Sequence, residues 1–219
     1  MIGAVIFDMD GTLIDTNDLH AKAWQEAFRK FGVELEFEEV RAQIGKGGDN
    51  LIPTLLPAEL VERCRQEIED HRSELFQRDY LPLAVPFPGV RALFERIVAD
   101  GRKVVLASSA KAAELAYYRN LIGASDLIHA ATSKDDVESS KPCPDIFEAA
   151  LGKVAPLKAD EVVVIGDSTW DVKAAVKIGI PVIGVRCGGF PEDELLEAGA
   201  AAIYDGPQDL LDRYESWME

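Results

Sequence analysis

The stretch Gly3-Ala4-Val5-Ile6-Phe7-Asp8-Met9-Asp10-Gly11-Thr12-Leu13 decides how this chain folds. Its first half, Gly3 to Phe7, is too short for a helix and lacks the polar alternation of a half-exposed strand. It reads as a strand buried on both faces. Working outward, runs of the same kind recur at Lys103–Ala107, Val162–Ile165 and Pro181–Val185. Between them lie amphipathic helical patterns: Val90, Leu93, Phe94, Ile97 and Val98 share one face before Gly101, and Asp171 to Ile178 closes at Gly179. Strand alternating with helix predicts an α/β fold with a doubly wound parallel sheet.

Residues 16–83 break that alternation. Trp24, Phe28 and Phe31 share a helical face, and Pro57 to Tyr80 is a long charged amphipathic stretch, with no strand-like run between them. The reading is an inserted α-helical cap domain over 16–83, carried by an α/β core of residues 1–15 and 84–219. Asp10-Gly11-Thr12 on one side, and Pro82, Pro86, Pro88 and Gly89 on the other, are the punctuation expected of two hinge linkers.

Composition narrows the partners. With 47% hydrophobic and 28% charged residues the 219-residue chain is of ordinary globular type. Acidic residues outnumber basic ones 39 to 23, for a net charge of -16. Nucleic acid and anionic membranes need a basic face and are not expected partners. The three cysteines, Cys64, Cys143 and Cys187, are far apart and show no metal-binding spacing, which points to a reducing compartment. No basic leader precedes Asp8 and no apolar run reaches 18 residues, so the expected location is the cytoplasm, with no membrane span.

In an open parallel sheet, ligands gather beyond the carboxyl ends of the strands. Asp8 and Asp10 follow the first strand at a two-residue spacing, which turns both carboxylates to one side. Val163-Val164-Ile165-Gly166-Asp167-Ser168-Thr169-Trp170-Asp171 delivers two further acids to the same rim. Like charges so clustered need a cation or a proton, and hard oxygen donors suit Mg2+. Ser168 to Asp171 also fits a helix capping box, so Asp167 is the better ligand of the pair. Ser108 and Ser109 end the second strand, where a hydroxyl and the free N–H groups of a starting helix can hold phosphate oxygens, although a serine placed so is more often a plain helix cap. Lys141, ahead of Pro142-Cys143-Pro144-Asp145, can neutralise a bound anion.

Taken in order, Asp8-Met9-Asp10-Gly11-Thr12-Leu13, Ser108, Lys141 and Gly166-Asp167-Ser168 with Asp171 resemble the motifs of the haloacid dehalogenase-like hydrolase superfamily, in members with a helical cap inserted after the first motif. The resemblance covers nearly the whole chain. It implies Asp8 as a nucleophile forming an aspartyl-phosphate, and Asp10 as the acid that protonates the leaving group and the base that activates water. It further implies Mg2+ held by Asp8, the backbone carbonyl of Asp10 and Asp167, with Asp171 through water or a further shell, and Ser108 and Lys141 completing the phosphate cradle. The namesake dehalogenation uses no metal and no second acid, so Asp10 and the acidic rim favour phosphate esters.

Substrate choice is expected in the cap. Thr16 and His20 stand at i and i+4 and can share a face looking toward Asp8, and Gly45-Lys46-Gly47-Gly48-Asp49-Asn50 reads as a polar loop that reaches the cleft. Thr16, His20, Lys46, Gly47, Asn50 and Ser109 are thus the candidate substrate-binding residues. The main expectation is a Mg2+-dependent phosphatase of a small phosphorylated metabolite, a sugar phosphate foremost. Thr16, His20 and Trp24 are also similar to β-phosphoglucomutase-like members and keep a sugar phosphomutase as the alternative. Those members typically carry an arginine in the cap loop, where this chain has Lys46 and Asp49. A non-catalytic metabolite-binding protein is the third reading.

Overall fold

The computed structural model describes residues 1–218. In chain order its elements are β1 (Ala4–Phe7), β2 (Ile14–Asp15), the helices α1 (Asn17–Lys30), α2 (Phe37–Arg41), α3 (Gly48–Leu55) and α4 (Ala58–Leu75), and β3 (Val85–Pro86). Helix and strand then alternate through α5 (Val90–Ala99), β4 (Lys103–Ala107), α6 (Ala112–Ile122), β5 (Ile128–Thr132), α7 (Asp145–Gly152) and β6 (Val162–Gly166). The chain continues through α8 (Thr169–Val176), β7 (Val182–Val185), α9 (Glu192–Ala198), β8 (Ala202–Tyr204), α10 (Pro207–Asp212) and α11 (Glu215–Met218).

Six strands form one parallel sheet in the order β5-β4-β1-β6-β7-β8. β1 lies inside it, with Ile6 paired to Val105 on one side and to Val164 on the other, and all four of its residues are buried. Alternation along the strands divides the apolar interior in two. Val5, Phe7, Leu106 and Ile165 pack against residues of α5, α6 and α10, whereas Ala4, Ile6, Val105 and Val164 pack against α7, α8 and α9. A fully buried side chain of this size contributes about 1.5–3 kcal/mol, which is why the central strands are almost wholly aliphatic. The strand order turns at β1, so the crevice beyond Phe7 is where the fold provides space for a ligand.

The helices from Asn17 to Leu75 have an apolar centre of their own, built from Trp24, Phe28, Val40, Leu51, Ile52 and Ile68. A wide turn at Phe76–Tyr80 and a tight one at Leu81–Leu83 return the chain to β3. There Ile14 pairs with Pro86 and Asp15 with Val85 in an antiparallel ladder. No helix among the described residues is long and apolar enough to cross a membrane.

Candidate active site

Asp8 extends the β1 ladder by one bond, its N–H donating to Ile165 O at 2.9 Å. The chain then turns sharply, with Leu13 N–H on Met9 O at 2.9 Å and Gly11 N–H on Ile14 O at 2.8 Å. Gly11 sits in the left-handed region at φ 79°, and a Cβ there would stand 2.4 Å from Asp167 Oδ2. The turn thus needs glycine both for its backbone and for the carboxylate beside it.

Asp8, Asp167 and Asp171 are all buried, and each offers an oxygen within 4.8 Å of the others. Lys141, itself 1% exposed, donates to Asp8 Oδ1 and lies 2.6 Å from Asp171 Oδ1. Thr12 Oγ1 donates to Asp167 Oδ1 at 3.2 Å. The electrostatics follow from this crowding. Burial raises the proton affinity of Asp8, Lys141 lowers it, and Asp171 and Asp167 raise it again, leaving it well above the usual carboxylate range. Burial and then Asp171 push Asp167 up to about 7. For Lys141 burial works against the charge, but Asp171 and Asp8 outweigh it and hold the ammonium form. Three buried carboxylates sharing one ammonium make a site that could hold a cation.

Asp171 serves two purposes at once. Its Oδ2 accepts from Ser168 N–H at 3.1 Å and from Ser168 Oγ at 2.5 Å, closing the capping box at the start of α8, while Oδ1 faces Lys141. The cap is formed by one oxygen of this carboxylate, and the other is paired with Lys141.

Asp10 turns away from that cluster. Thr16 Oγ1 donates to its Oδ1 at 2.6 Å, and His20 Nε2 lies 2.8 Å from the same atom. Thr16 and His20, expected to look toward Asp8, meet Asp10 instead, because Thr16 precedes α1 and His20 stands one turn along it. Arg72 Nη2 contacts His20 Nδ1. Arginine only donates, so Nδ1 accepts and Nε2 carries the hydrogen given to Asp10. Burial would raise Asp10, but His20 and the Thr16 hydroxyl outweigh it and bring it down to about 2. His20 stacks on Phe76 with ring centroids 4.0 Å apart.

A cleft of about 400 Å³ opens over Asp8 and Asp10, walled by Trp24, Arg72, Ser109, Glu114 and Lys141 among others. Ser108 is buried and its Oγ accepts from Ala110 N–H at 3.1 Å, which is the capping role; its own hydrogen remains available to donate. The loop at Gly45–Asn50 reaches the cleft, but its polar groups are engaged elsewhere. Asn50 Nδ2 donates to Ser140 O at 2.9 Å and Lys141 O at 3.1 Å, and Asp49 Oδ2 accepts from Ser140 N–H at 3.0 Å. Gly47 is pressed against Ser140 so closely that a Cβ would stand 2.1 Å from its Oγ. Lys46 Nζ goes to Gln43 Oε1 at 2.6 Å and lies over the Trp170 ring at 4.1 Å. The loop therefore clasps the segment that carries Lys141.

Several residues at the site escape a reading of the sequence. Asn17 Nδ2 donates to Asp167 Oδ2 at 2.7 Å. Arg72 reaches His20 from α4, and Glu114 and Tyr118 come from α6, with Tyr118 OH donating to Glu114 Oε1 at 3.2 Å. The i, i+4 spacing of Glu114 and Tyr118 is the only local signal among these, and it does not say what the pair faces.

A family model described as haloacid dehalogenase-like hydrolase matches residues 5–185. Phosphoglycolate phosphatase of Yersinia pestis is 32% identical over 192 residues, 85% of this chain and 82% of that one. A phosphorylated carbohydrates phosphatase of Thermotoga maritima is 29% identical over 95% of this chain and 96% of its own. Among solved structures, a Bacteroides vulgatus protein provisionally named a β-phosphoglucomutase superposes with a TM-score of 0.86 at 26% identity, covering 98% of this chain and 88% of that one. The chain spans only 20% of another relative, the chloroplastic Protein SUPPRESSOR OF QUENCHING 1 of Arabidopsis thaliana, at 31% identity.

Proposed function

This chain belongs to the haloacid dehalogenase-like hydrolase family, and on that premise we propose that it is a Mg2+-dependent phosphatase of a small phosphorylated metabolite, a phosphorylated carbohydrate or hydroxy acid. The observation that carries the reading is the set of three buried carboxylates within 4.8 Å of one another, two of them paired with Lys141, at a cleft whose lining includes Asp8, Asp10 and Lys141. The names of the Yersinia pestis and Thermotoga maritima relatives support the ester class. Residues 16–83 are assigned as the cap over the core of 1–15 and 84–219, the part that chooses the leaving group.

The donor set fits the metal: all oxygen, anionic, and deficient in positive charge as it stands. Asp8, Asp167 and the backbone carbonyl of Asp10 would hold Mg2+, with Asp171 behind them. Bound there, the ion would offset the charge of the phosphoryl oxygens and keep Asp8 and Asp167 ionised.

The chemistry assigned to the side chains runs in two halves. Asp8 attacks phosphorus through a carboxylate oxygen, the bond from phosphorus to the leaving oxygen breaks, and Asp10 protonates that oxygen. Water then attacks the aspartyl-phosphate, its proton passes to Asp10, the bond from phosphorus to Asp8 breaks, and inorganic phosphate leaves. Lys141 and Ser108 hold the phosphoryl oxygens throughout. With its proton affinity held at about 2, Asp10 starts as the carboxylate, the form the second half needs. Its proton for the first half enters with the substrate, whose phosphate has a second pKa of about 6.

A sugar phosphomutase is the second reading, favoured by Thr16 and His20 on Asp10 and by the Bacteroides vulgatus structure. Against it, the cap loop has no arginine, and Lys46 and Asp49 are occupied by Gln43 and Ser140. A screen of phosphoglycolate, sugar phosphates and nucleotides, with and without a sugar bisphosphate, separates the two. Phosphate release that needs no bisphosphate and stops with a chelator is expected, and isomerisation of a hexose 1-phosphate without release would reverse the choice.

Metal binding should also depend on pH. Mg2+ must displace the proton that Asp167 holds up to about 7. Its apparent affinity is expected to rise with pH from about pH 5, by up to about tenfold per pH unit for each proton displaced, with the Asp167 share levelling off above about pH 7 and any share from Asp8 adding to it. Calorimetry across that range measures it, and a flat profile would remove Asp167 from the metal centre.

A further inference from the structure

Asn17 opens α1, immediately after the hinge strand β2, and is 3% exposed. Its side-chain amide gives one hydrogen to Asp167 Oδ2 at 2.7 Å and the other to Gly188 O at 2.9 Å. The Gly188 carbonyl can only accept, so the amide has one orientation only. Asn17 Oδ1 consequently points into the interior with no partner. Nothing about starting a helix requires an amide to be held this way; what the arrangement secures is the rotation of the Asp167 carboxylate.

The surroundings tighten that hold. A Cβ on Gly188 would stand 1.8 Å from Asp167 Oδ2, and one on Gly11 would stand 2.1 Å from Asn17 Nδ2, so backbone encloses the pair on two sides. With Oδ2 engaged, Asp167 Oδ1 is left with Thr12. The Gly188 carbonyl has a second donor, Arg41 Nη2 from α2, whose Nε also binds Asp18 Oδ1 on α1 at 2.7 Å. One carbonyl of the sheet domain is thus gripped by two residues of the helical segment, and one of these two also grips a carboxylate of the acidic cluster.

We propose that Asn17 is a positioning residue that orients Asp167 for its metal, and that Arg41, through the shared Gly188 carbonyl, couples the seating of the helical segment to metal affinity. The inference rests on the metal-centre reading above. Coupling of this kind is reciprocal: if seating strengthens metal binding, metal binding must steady the seated segment by the same factor. Groups that orient a metal ligand without touching the ion typically change affinity by about 10–100-fold when removed.

The test is calorimetric binding of MgCl2 to the full chain, paired with amide hydrogen exchange over Phe37–Arg41. Asn17→Ala is expected to weaken Mg2+ binding by about tenfold or more, and Asn17→Ser, which keeps one donor and little bulk, by less. Arg41→Ala, which removes no carboxylate from the acidic cluster, is expected to weaken it by about fivefold, and parent affinity in that variant refutes the part given to Arg41. Mg2+ should slow exchange over Phe37–Arg41 in the parent protein and have much less effect in Asn17→Ala. Wild-type affinity in both Asn17 variants, or equal protection in parent and Asn17→Ala, overturns the proposal. Asp167→Asn is the control: if it binds Mg2+ as the parent does, the metal-centre reading itself is at fault, whereas loss of binding there with unchanged Asn17 variants refutes the coupling alone.

Discussion

Asp8→Asn is expected to lower phosphate release by about 10⁴-fold or more, because an amide of nearly the same shape cannot supply the attacking oxygen. The fold should survive the change. Asp8 sits where burial and the charges of Asp171 and Asp167 all disfavour its ionised form, so neutralising it removes repulsion, and Lys141 keeps Asp171 as a partner. In metal-free buffer at neutral pH the variant should melt at the parent temperature or slightly above. Phosphate release and a thermal melt on the same preparation decide the matter. Residual turnover above a few per cent would move the nucleophile to another residue, and a large drop in melting temperature would mean that Asp8 is structural.

Lys141→Met should have the largest effect on stability. The ammonium group touches both Asp8 and Asp171, and without it Asp8, Asp167 and Asp171 lose the counter-charge they share. Breaking a buried pair in this way costs about 3–5 kcal/mol. The sign with pH follows from the shifts. Lys141 has a raised proton affinity, so its contribution is fully present below the ordinary lysine pKa and is lost only in strong alkali. Asp8 and Asp167 are raised too, and for them the folded state gains as pH falls through about 7, where Asp167 takes its proton. The deficit of Lys141→Met should therefore be largest near pH 8, shrink toward pH 5, and be partly recovered by Mg2+ at neutral pH. Urea unfolding at the two pH values, with and without the ion, measures it. An equal deficit at both would mean that Lys141 acts by packing against Phe147, whose ring centre lies 5.3 Å from its Nζ.

What could be read from the sequence was what burial writes into it. β1, β4, β6 and β7 appear as unbroken apolar runs because a strand enclosed on both faces has no position that prefers water. The edge strands do not: Ile128-His129-Ala130-Ala131-Thr132 is partly exposed and broken by a histidine, and Ala202-Ile203-Tyr204 is partly exposed and only three residues long. β2 and β3, at two residues each, are below what any periodicity can reveal. The acids at the strand ends were visible because topology alone brings Asp8 and Asp167 to one rim. Asn17, Arg41 and Arg72 were not, since their meaning depends on where the helices sit over the sheet. The same holds for the contacts of Thr16 and His20 with Asp10, and for those by which Lys46, Gly47 and Asn50 fasten one segment to another while His20, Lys46 and Gly47 line the cleft.

The two-residue ladder between β2 and β3 has a consequence of its own. It places the departing and returning ends of the polypeptide side by side, at the roughly 4.8 Å spacing of neighbouring strands. Whatever is threaded between Asp15 and Val85 begins and finishes at one point on the surface of the sheet domain. To that domain the intervening 69 residues are a plug in a socket. Under the proposed cap assignment, another module with adjacent termini is expected to be accepted there with the six-stranded register unchanged, and selectivity to travel with it.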